Sequence, residues 1–201
     1  MKLAELITPD RTALLTVEVQ EATVGTRSPV PSLAQAVRAG GVLEHIAALA
    51  RAARVVGMPV IHCTAEARPD RLGGNRNARL FALARGGTVD PTAFSVHNDI
   101  GAEPSDLVLP RLHGLSPMTG TSLDPILRNL GISTIVATGV SVNVAIMGLA
   151  FEAVNLGYHL VLPRDAIAGV DDEYVDAVFT YTFSLLATIT DTAAIVDVWA
   201  S

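Results

Sequence analysis

The sequence TIVATGVSVNVA, residues 134–145, passes from a run typical of a buried β-strand into a run typical of an α-helix. Residues 134–139 are mostly apolar or β-branched, as in strands inside a sheet. The helical stretch starts at Val142 and continues to Leu156, where Gly157 supplies a common C-terminal signal. We therefore predict a strand that turns directly into a helix, the repeating unit of an α/β fold.

The same alternation extends to both ends of the chain. Further strands are predicted within residues 13–19, 59–63, 107–109, 158–162 and 187–190. Residues 33–56 between them favour a helix that starts afresh after Gly40-Gly41. Strand and helix in repetition are typical of parallel pairing with right-handed crossovers. The predicted fold is α/β, a doubly wound, mostly parallel six-stranded sheet of order 3-2-1-4-5-6 with helices on both faces.

Composition narrows the class of protein. The chain has 201 residues, half of them hydrophobic and 17% charged, which favours one folded domain over residues 1–201. Aromatic residues make up only 4%, so the core is expected to be aliphatic, as under a covered parallel sheet. The net charge of −6 and the lack of a basic stripe argue against a nucleic-acid partner. No apolar run approaches the ~20 residues that span a bilayer, so we expect no membrane partner.

Cysteine and histidine content bear on compartment and metals. Cys63 is the only cysteine, which excludes an intramolecular disulfide and fits a reducing cytoplasm. The N-terminus lacks the basic and apolar regions of a signal peptide. His62 and His97 have no acid at ligand spacing, so we predict no metal site and no cofactor.

The predicted strand order locates a ligand site. Ligands of doubly wound sheets bind beyond the carboxyl ends of the strands, where the strand order reverses. Strands one and four are neighbours there, and Glu18 lies near the end of strand one. Residues 139–145 leave strand four and enter a helix, whose N-terminus offers free N–H groups and a positive dipole end. We expect the chemistry where Glu18 meets residues 140–145.

Glu18 is the one acid within a largely apolar strand. Burying a carboxylate costs several kcal/mol unless it is paired or protonated. One interpretation is an acid or base with a raised pKa. The other is a side chain that points to solvent or pairs with a structural arginine.

Residues 65–106 are the least regular part of the chain, with a short helix predicted over residues 77–84. Long excursions of this kind often cover an active site. A plain surface excursion is the alternative.

Several segments together resemble the isochorismatase-like, or cysteine hydrolase, superfamily. They are Leu14 to Gln20, Gly120-Thr121-Ser122-Leu123, Thr138 to Ala145, Leu156-Gly157-Tyr158 and Arg164-Asp165-Ala166. They run from strand one to near residue 169. In this order and spacing they are specific for the fold and much less so for the activity.

Typical members of this family use Asp, Lys and Cys to hydrolyse amides through a thioester. The resemblance places Glu18 at the acid position, Arg111 at the lysine position and Ala145 at the nucleophile position. His113 is a second candidate for the lysine position, because the spacing to Thr121 is one residue longer than usual. Alanine cannot attack a carbonyl, so the thioester route is closed there. Since all three positions depart together, we favour a natural departure over an engineered Cys-to-Ala change.

True isochorismatases in this superfamily also lack the cysteine, and are thought to hydrolyse a vinyl ether with the acid alone. The resemblance thus implies Glu18 as a proton donor. Arg111 keeps its charge and suits a substrate carboxylate better than proton shuttling. The alternative is an ion pair with Glu18, which would lower the pKa of that acid. Cys63 as a replacement nucleophile is less favoured than a place in the core.

The remaining site candidates are Val140, Ser141, Asn143 and His113, as substrate-binding residues. The family often has a non-proline cis peptide at the position of Val140-Ser141. Asn143 either caps the following helix or touches the ligand, with capping preferred.

The sequence therefore predicts an isochorismatase-like hydrolase that acts without a cysteine nucleophile on a small anionic metabolite. The alternative is a catalytically inactive relative that binds a ligand or a partner protein. The apolar helices that follow Val142 and Asp171, together with the resemblance, also predict a homodimer or homotetramer.

Overall fold

One sheet organises the computed structural model, which describes residues 1–83 and 89–201. Its strands are β1 (Thr12–Val17), β2 (Val60–Ala65), β3 (Leu107–Arg111), β4 (Thr134–Val140), β5 (His159–Pro163), β6 (Ile167–Ala168) and β7 (Thr188–Thr190). The order is β3-β2-β1-β4-β5-β7, with β6 against β4 and every strand pair parallel. The predicted fold class and the β1–β4 junction are confirmed. The described residues contain one strand more than predicted, because β6 is a two-residue segment too short to show as a pattern.

Helices connect the strands. They are α1 (Leu3–Leu6), α2 (Glu21–Val24), α3 (Pro31–Ala39), α4 (Val42–Val55), α5 (Arg79–Leu83), α6 (Leu123–Asn129), α7 (Met147–Asn155), α8 (Asp172–Val178), α9 (Ser184–Leu186) and α10 (Thr192–Trp199). Two π-helical turns, Val142–Ile146 and Phe179–Phe183, lead into α7 and α9. The break at Gly40-Gly41 separates α3 from α4 as expected. The helix expected over residues 77–84 is α5, and Ala84 lies outside the described residues.

The core lies on both faces of the sheet. Every residue of β1 is buried, because side chains alternate along the strand and helices cover both faces. On one face Leu15 belongs to a cluster that includes Leu149 of α7. On the other, Leu14 belongs to a cluster with Ile46 of α4 and Trp199 of α10. None of the helices in the described residues is long and apolar enough to cross a membrane.

β1 and β4 come unusually close at their carboxyl ends, where Val17 pairs with Gly139. Gly139 has φ +107°, and a Cβ there would lie 2.3 Å from the carbonyl oxygen of Val17. Only glycine fits this approach without displacing the neighbouring backbone. The contact brings the residue after β1, Glu18, beside the end of β4.

Candidate active site

Glu18 directly follows β1 and ends its extended conformation. Its φ of +55° is uncommon for a residue with a side chain. Its N–H donates to the carbonyl of Cys63 at 2.9 Å, and its own carbonyl accepts from the N–H of Gln20 at 3.0 Å. The side chain is 19% exposed. The break in the strand therefore leaves Glu18 at the carboxyl edge of the sheet, within hydrogen-bonding distance of β2.

Arg111, the last residue of β3, forms an ion pair with Glu18. Its Nη2 donates to Oε1 of Glu18 and, at 3.3 Å, to the carbonyl of Leu115. The pair that the sequence left as an alternative is thus formed. Burial nevertheless raises the pKa of Glu18 above its ordinary value, and the charge and hydrogen bond of Arg111 offset only part of that effect. Arg111 lowers the pKa of Glu18 as expected, but desolvation by burial is the larger effect, so the net shift is upward.

The Arg111 guanidinium has donors that Glu18 does not use. The side chain is 3% exposed, and its buried Nε and Nη1 atoms make no hydrogen bond with any of the described residues. A guanidinium carries five N–H donors, and a buried unpaired donor is unfavourable. This part of the site is therefore ready to receive acceptor atoms from a ligand.

A cavity of about 350 Å³ opens beside Arg111. Its lining comprises Pro110, Arg111, Leu112, His113, Gly120, Thr121 and Ser122. His113 is exposed and packs near Gly120, whose Cβ, if present, would lie 2.9 Å from the imidazole Cε1. His113 and Arg111 thus share one cavity, whereas the direct partner of Glu18 is Arg111.

The start of the helix after β4 holds the other predicted residues. The Val140–Ser141 peptide is cis. Val140 and Ala145 are fully buried, whereas Asn143 is exposed. Ser141, with no side-chain cap bond, occupies the N-cap position. The prediction that Asn143 caps this helix is wrong, because the helix begins one residue before it.

Cys63 lies in β2, in the same core cluster as Ala145. Its side chain is almost fully buried, and burial raises the pKa of the thiol to about 12. Because the thiolate is the nucleophilic form, Cys63 is poorly suited to attack a substrate.

Gln20, which is fully buried, was not predicted from the sequence as a site residue. Its Nε2 donates to the carbonyls of Ala65 at 3.1 Å and Phe94 at 2.7 Å, and its Oε1 accepts from the N–H of Ala65 at 2.7 Å. Gln20 therefore ties the end of β2 and the segment before residue 95 to the turn that carries Glu18. A polar residue two positions after Glu18 in an apolar run was the available signal.

Glu152 of α7 was missed too. Its carboxylate accepts hydrogen bonds from the Ser116 hydroxyl and from the hydroxyl and N–H of Thr119. These bonds hold the loop between β3 and α6 against α7. The same loop supplies the Leu115 carbonyl that accepts from Arg111. No sequence pattern indicates this contact, because the partners are more than thirty residues apart.

A larger groove, about 740 Å³, lies between α3 and the segment that follows β5. Its charged groups have local partners. Arg164 donates to Asp176, and Asp165 accepts from Thr192. Asp171 caps α8. The Glu18–Arg111 pair is the better candidate site, because Arg111 is buried with two unsatisfied nitrogens and Glu18 is mostly buried beside it. Among the described residues, no group of three or more His, Cys, Asp and Glu side chains is arranged to hold a metal ion.

Comparison with known proteins places the chain among relatives of similar fold. A model of the isochorismatase domain family matches residues 12–194. The ureidoacrylate amidohydrolase RutB of Methylorubrum extorquens is 29% identical over 180 residues, covering 78% of this chain and 69% of RutB. The uncharacterized isochorismatase family protein YwoC of Bacillus subtilis is 39% identical over 64 residues, which span 32% of this chain and only 34% of YwoC.

Solved structures are similar along nearly the whole chain. A cysteine hydrolase from Pseudomonas syringae pv. phaseolicola has a TM-score of 0.83 and 22% identity, covering 97% of this chain and 95% of its own. N-carbamoylsarcosine amidase from Thermoplasma acidophilum has a TM-score of 0.72 and 23% identity, covering 90% and 96%. At these identities the likeness shows a shared fold and leaves the chemistry to the residues of the site.

Proposed function

The chain belongs to the isochorismatase family, and we propose that it hydrolyses a small anionic metabolite without a cysteine nucleophile, with Glu18 as the proton donor. The observation that carries the proposal is the position of Glu18, whose side chain is only 19% exposed and contacts Arg111. Burial there raises the pKa of Glu18 above its ordinary value, so the carboxyl group holds its proton to a higher pH than an exposed one does.

The state of the thiol supports a route without a thioester. We propose that Ala145 occupies the position at which typical family members carry their nucleophilic cysteine. Cys63 does not replace it, because its thiol is buried and its pKa is raised to about 12. Neither position offers the thiolate that a covalent intermediate requires.

Acid chemistry fits these residues. Glu18 in its protonated form would donate a proton to the terminal alkene carbon of a vinyl ether, giving an oxocarbenium ion. Water adds to that ion, and its proton returns to the Glu18 carboxylate. The resulting hemiketal collapses to an alcohol and a ketone. Arg111 would bind a carboxylate of the substrate, since its guanidinium remains charged and has unused donors.

The remaining substrate contacts are proposed at the edge of this pair. Asn143 and His113 are exposed and have polar atoms available to a ligand. Val140 and Ser141 would contact the substrate through their backbone, at the end of β4. These assignments follow from the family resemblance, and for His113 they are also supported by the cavity that it shares with Arg111.

One observation favours a second candidate, a catalytically inactive relative that binds a ligand or a partner protein. Glu18 and Arg111 are paired with each other, and Ala145 has no exposed surface. A site closed in this way can be a structural ion pair that outlived a lost activity.

Turnover of isochorismate and of a panel of small amides by the purified protein tests the proposal. Intact-protein mass spectrometry during turnover reports any covalent adduct. We expect hydrolysis of the vinyl ether with no adduct on the protein. An adduct on Cys63 would contradict the mechanism, and no turnover of any compound would favour the inactive relative.

A further inference from the structure

We propose that a carboxylate bound to Arg111 causes Glu18 to take up a proton, so that the site acquires its acid only when an anionic ligand is present. This inference rests on the proposed function and adds a selection rule to it. A neutral compound of the same shape would bring no proton to Glu18 and would not be processed.

Arg111 has hydrogen-bond donors that are available to a ligand. Nη2 donates to Glu18 and to the Leu115 carbonyl, while the buried Nε and Nη1 have no partner within residues 1–83 and 89–201. Charge-assisted hydrogen bonds to a carboxylate are among the strongest that a protein makes. Arg111 also lines a cavity of about 350 Å³, the size of a small-molecule site. A small carboxylate is therefore the ligand that these groups fit.

The groups near Glu18 determine how readily its carboxyl group ionises. Arg111 reaches it from β3 and stabilises its ionised form. Cys63 faces it from β2, but a thiol whose pKa is raised to about 12 is uncharged at neutral pH. Arg111 is therefore the group that favours the ionised form of Glu18, against the effect of burial.

A bound carboxylate removes that support in two ways. It neutralises the guanidinium, and it places a second negative charge beside the same cation. Two carboxylates that share one site cannot both ionise freely, and one of them takes a proton. Of the two carboxylates, Glu18 is the one whose neutral form burial already favours.

Calorimetric titration of the full chain with benzoate, a carboxylate that cannot be hydrolysed, measures this coupling. Titrations in HEPES and in Tris differ in heat by the protons exchanged with the buffer. We expect net proton uptake on binding, and a Kd that rises by up to about tenfold per pH unit above the pKa of free Glu18. Benzyl alcohol, the neutral probe, should cause no uptake.

Variants assign the proton and the binding group. Glu18→Gln should bind benzoate without uptake, and Glu44→Gln, an exposed acid on α4, should behave as wild type. Arg111→Gln should weaken benzoate binding at least tenfold, whereas Arg51→Gln, an exposed arginine on α4, should not. Both controls remove one surface charge without touching the site.

Three results would overturn the proposal: no benzoate binding, binding without proton uptake, or uptake that persists in Glu18→Gln. The proposed function fails separately, when turnover does not depend on Glu18. Turnover that depends on Glu18 without coupled uptake would reject only the coupling.

Discussion

Two opposing effects act on the Glu18 carboxyl, and their balance sets its protonation. Burial raises its pKa, while the charge and the hydrogen bond of Arg111 lower it. The sequence indicated both effects, because an acid stood in an apolar strand and an arginine stood at the lysine position of a resembling family. It did not indicate which effect is larger, because desolvation depends on the side chains that close around the pair. Gln20 and Glu152 escaped prediction for the same reason, since their partners come together only in the folded chain.

The pH dependence of turnover follows from the direction of this shift. Glu18 acts in its protonated form, so kcat/KM should be highest below its raised pKa and fall about tenfold per pH unit above it. Arg111→Gln should move this limb to higher pH, because a charge that lowers the pKa of Glu18 is lost. A pH–rate profile of both proteins checks this. A rate that climbs with pH, as a thiolate would give, contradicts it.

Gly139 is predicted to be the most sensitive glycine at the β1–β4 junction. Gly139→Ala combines a positive φ with a Cβ 2.3 Å from the Val17 carbonyl, so we expect a loss of about 3 kcal/mol or more in unfolding free energy. Gly157→Ala is the matched control. It also has a positive φ, but nothing lies within 4 Å of its Cβ, so about 1–2 kcal/mol is expected. Urea denaturation measures both, and equal losses would refute the close approach.

At the scale of elements, β3 depends on polar contacts more than on burial. It is an edge strand whose Val108 is half exposed. Asp106, the residue before β3, accepts two hydrogen bonds from Arg54 of α4 and lies 3.1 Å from Nε2 of His62. His62 Nδ1 lies 2.7 Å from the Thr16 hydroxyl on β1. Because Asp106 accepts from Nε2–H, the Thr16 hydroxyl donates to Nδ1, and this chain of contacts ties α4 and three strands together.

Stability should therefore depend on the protonation of His62. Burial lowers the pKa of His62 below its ordinary value, and the contact with Asp106 only partly offsets this. Below about pH 6.5 the unfolded chain binds a proton that the folded chain does not, so unfolding free energy should fall as pH drops through that range. His62→Gln should flatten this dependence. His159→Gln, a change at an exposed position on β5, should retain it.

Guanidinium denaturation between about pH 5.5 and pH 7.5, roughly one unit either side of the ordinary pKa of histidine, measures the effect. A slope in His62→Gln equal to that of the wild type would show that another group is responsible.

The hydrogen bonds of this network could not be predicted from the sequence, in which His62 was considered only as a metal ligand and rejected. The strand order, by contrast, followed from the alternation of strands and helices. The π-helical turns did not, because the spacing of apolar residues does not distinguish them from an α-helix.

Across the whole molecule, the fold and the proposed chemistry depend on different features of the sequence. Solved structures at 22–23% identity share the fold over at least nine tenths of this chain. Apolar alternation specifies that fold, and many sequences satisfy it. The chemistry that we propose depends on Glu18, Arg111 and Ala145, three positions at which we place departures from the usual family pattern. The fold was therefore predictable from the sequence, while the proposed function depends on the protonation of Glu18 beside Arg111.

The surface of α7 to α9 supports the prediction of a homodimer or homotetramer. Phe151, Tyr181 and Leu185 are exposed there, Leu185 to 82%. Leu185→Glu should shift the protein toward monomers in light scattering coupled to size exclusion, because a charge would enter an apolar interface. Val55→Glu, at a position 86% exposed at the end of α4, is the control. A wild-type monomer would contradict the prediction.

Whether Glu18 or a cysteine carries the reaction is tested most directly by turnover of one substrate by Glu18→Gln, by Cys63→Ala and by the wild-type protein. Both variants should give wild-type circular dichroism spectra. We expect Glu18→Gln to lose at least about 10²-fold in kcat, the usual contribution of a general acid, and Cys63→Ala to stay near the wild-type rate. Turnover that survives in Glu18→Gln and disappears in Cys63→Ala would contradict it and identify a cysteine hydrolase.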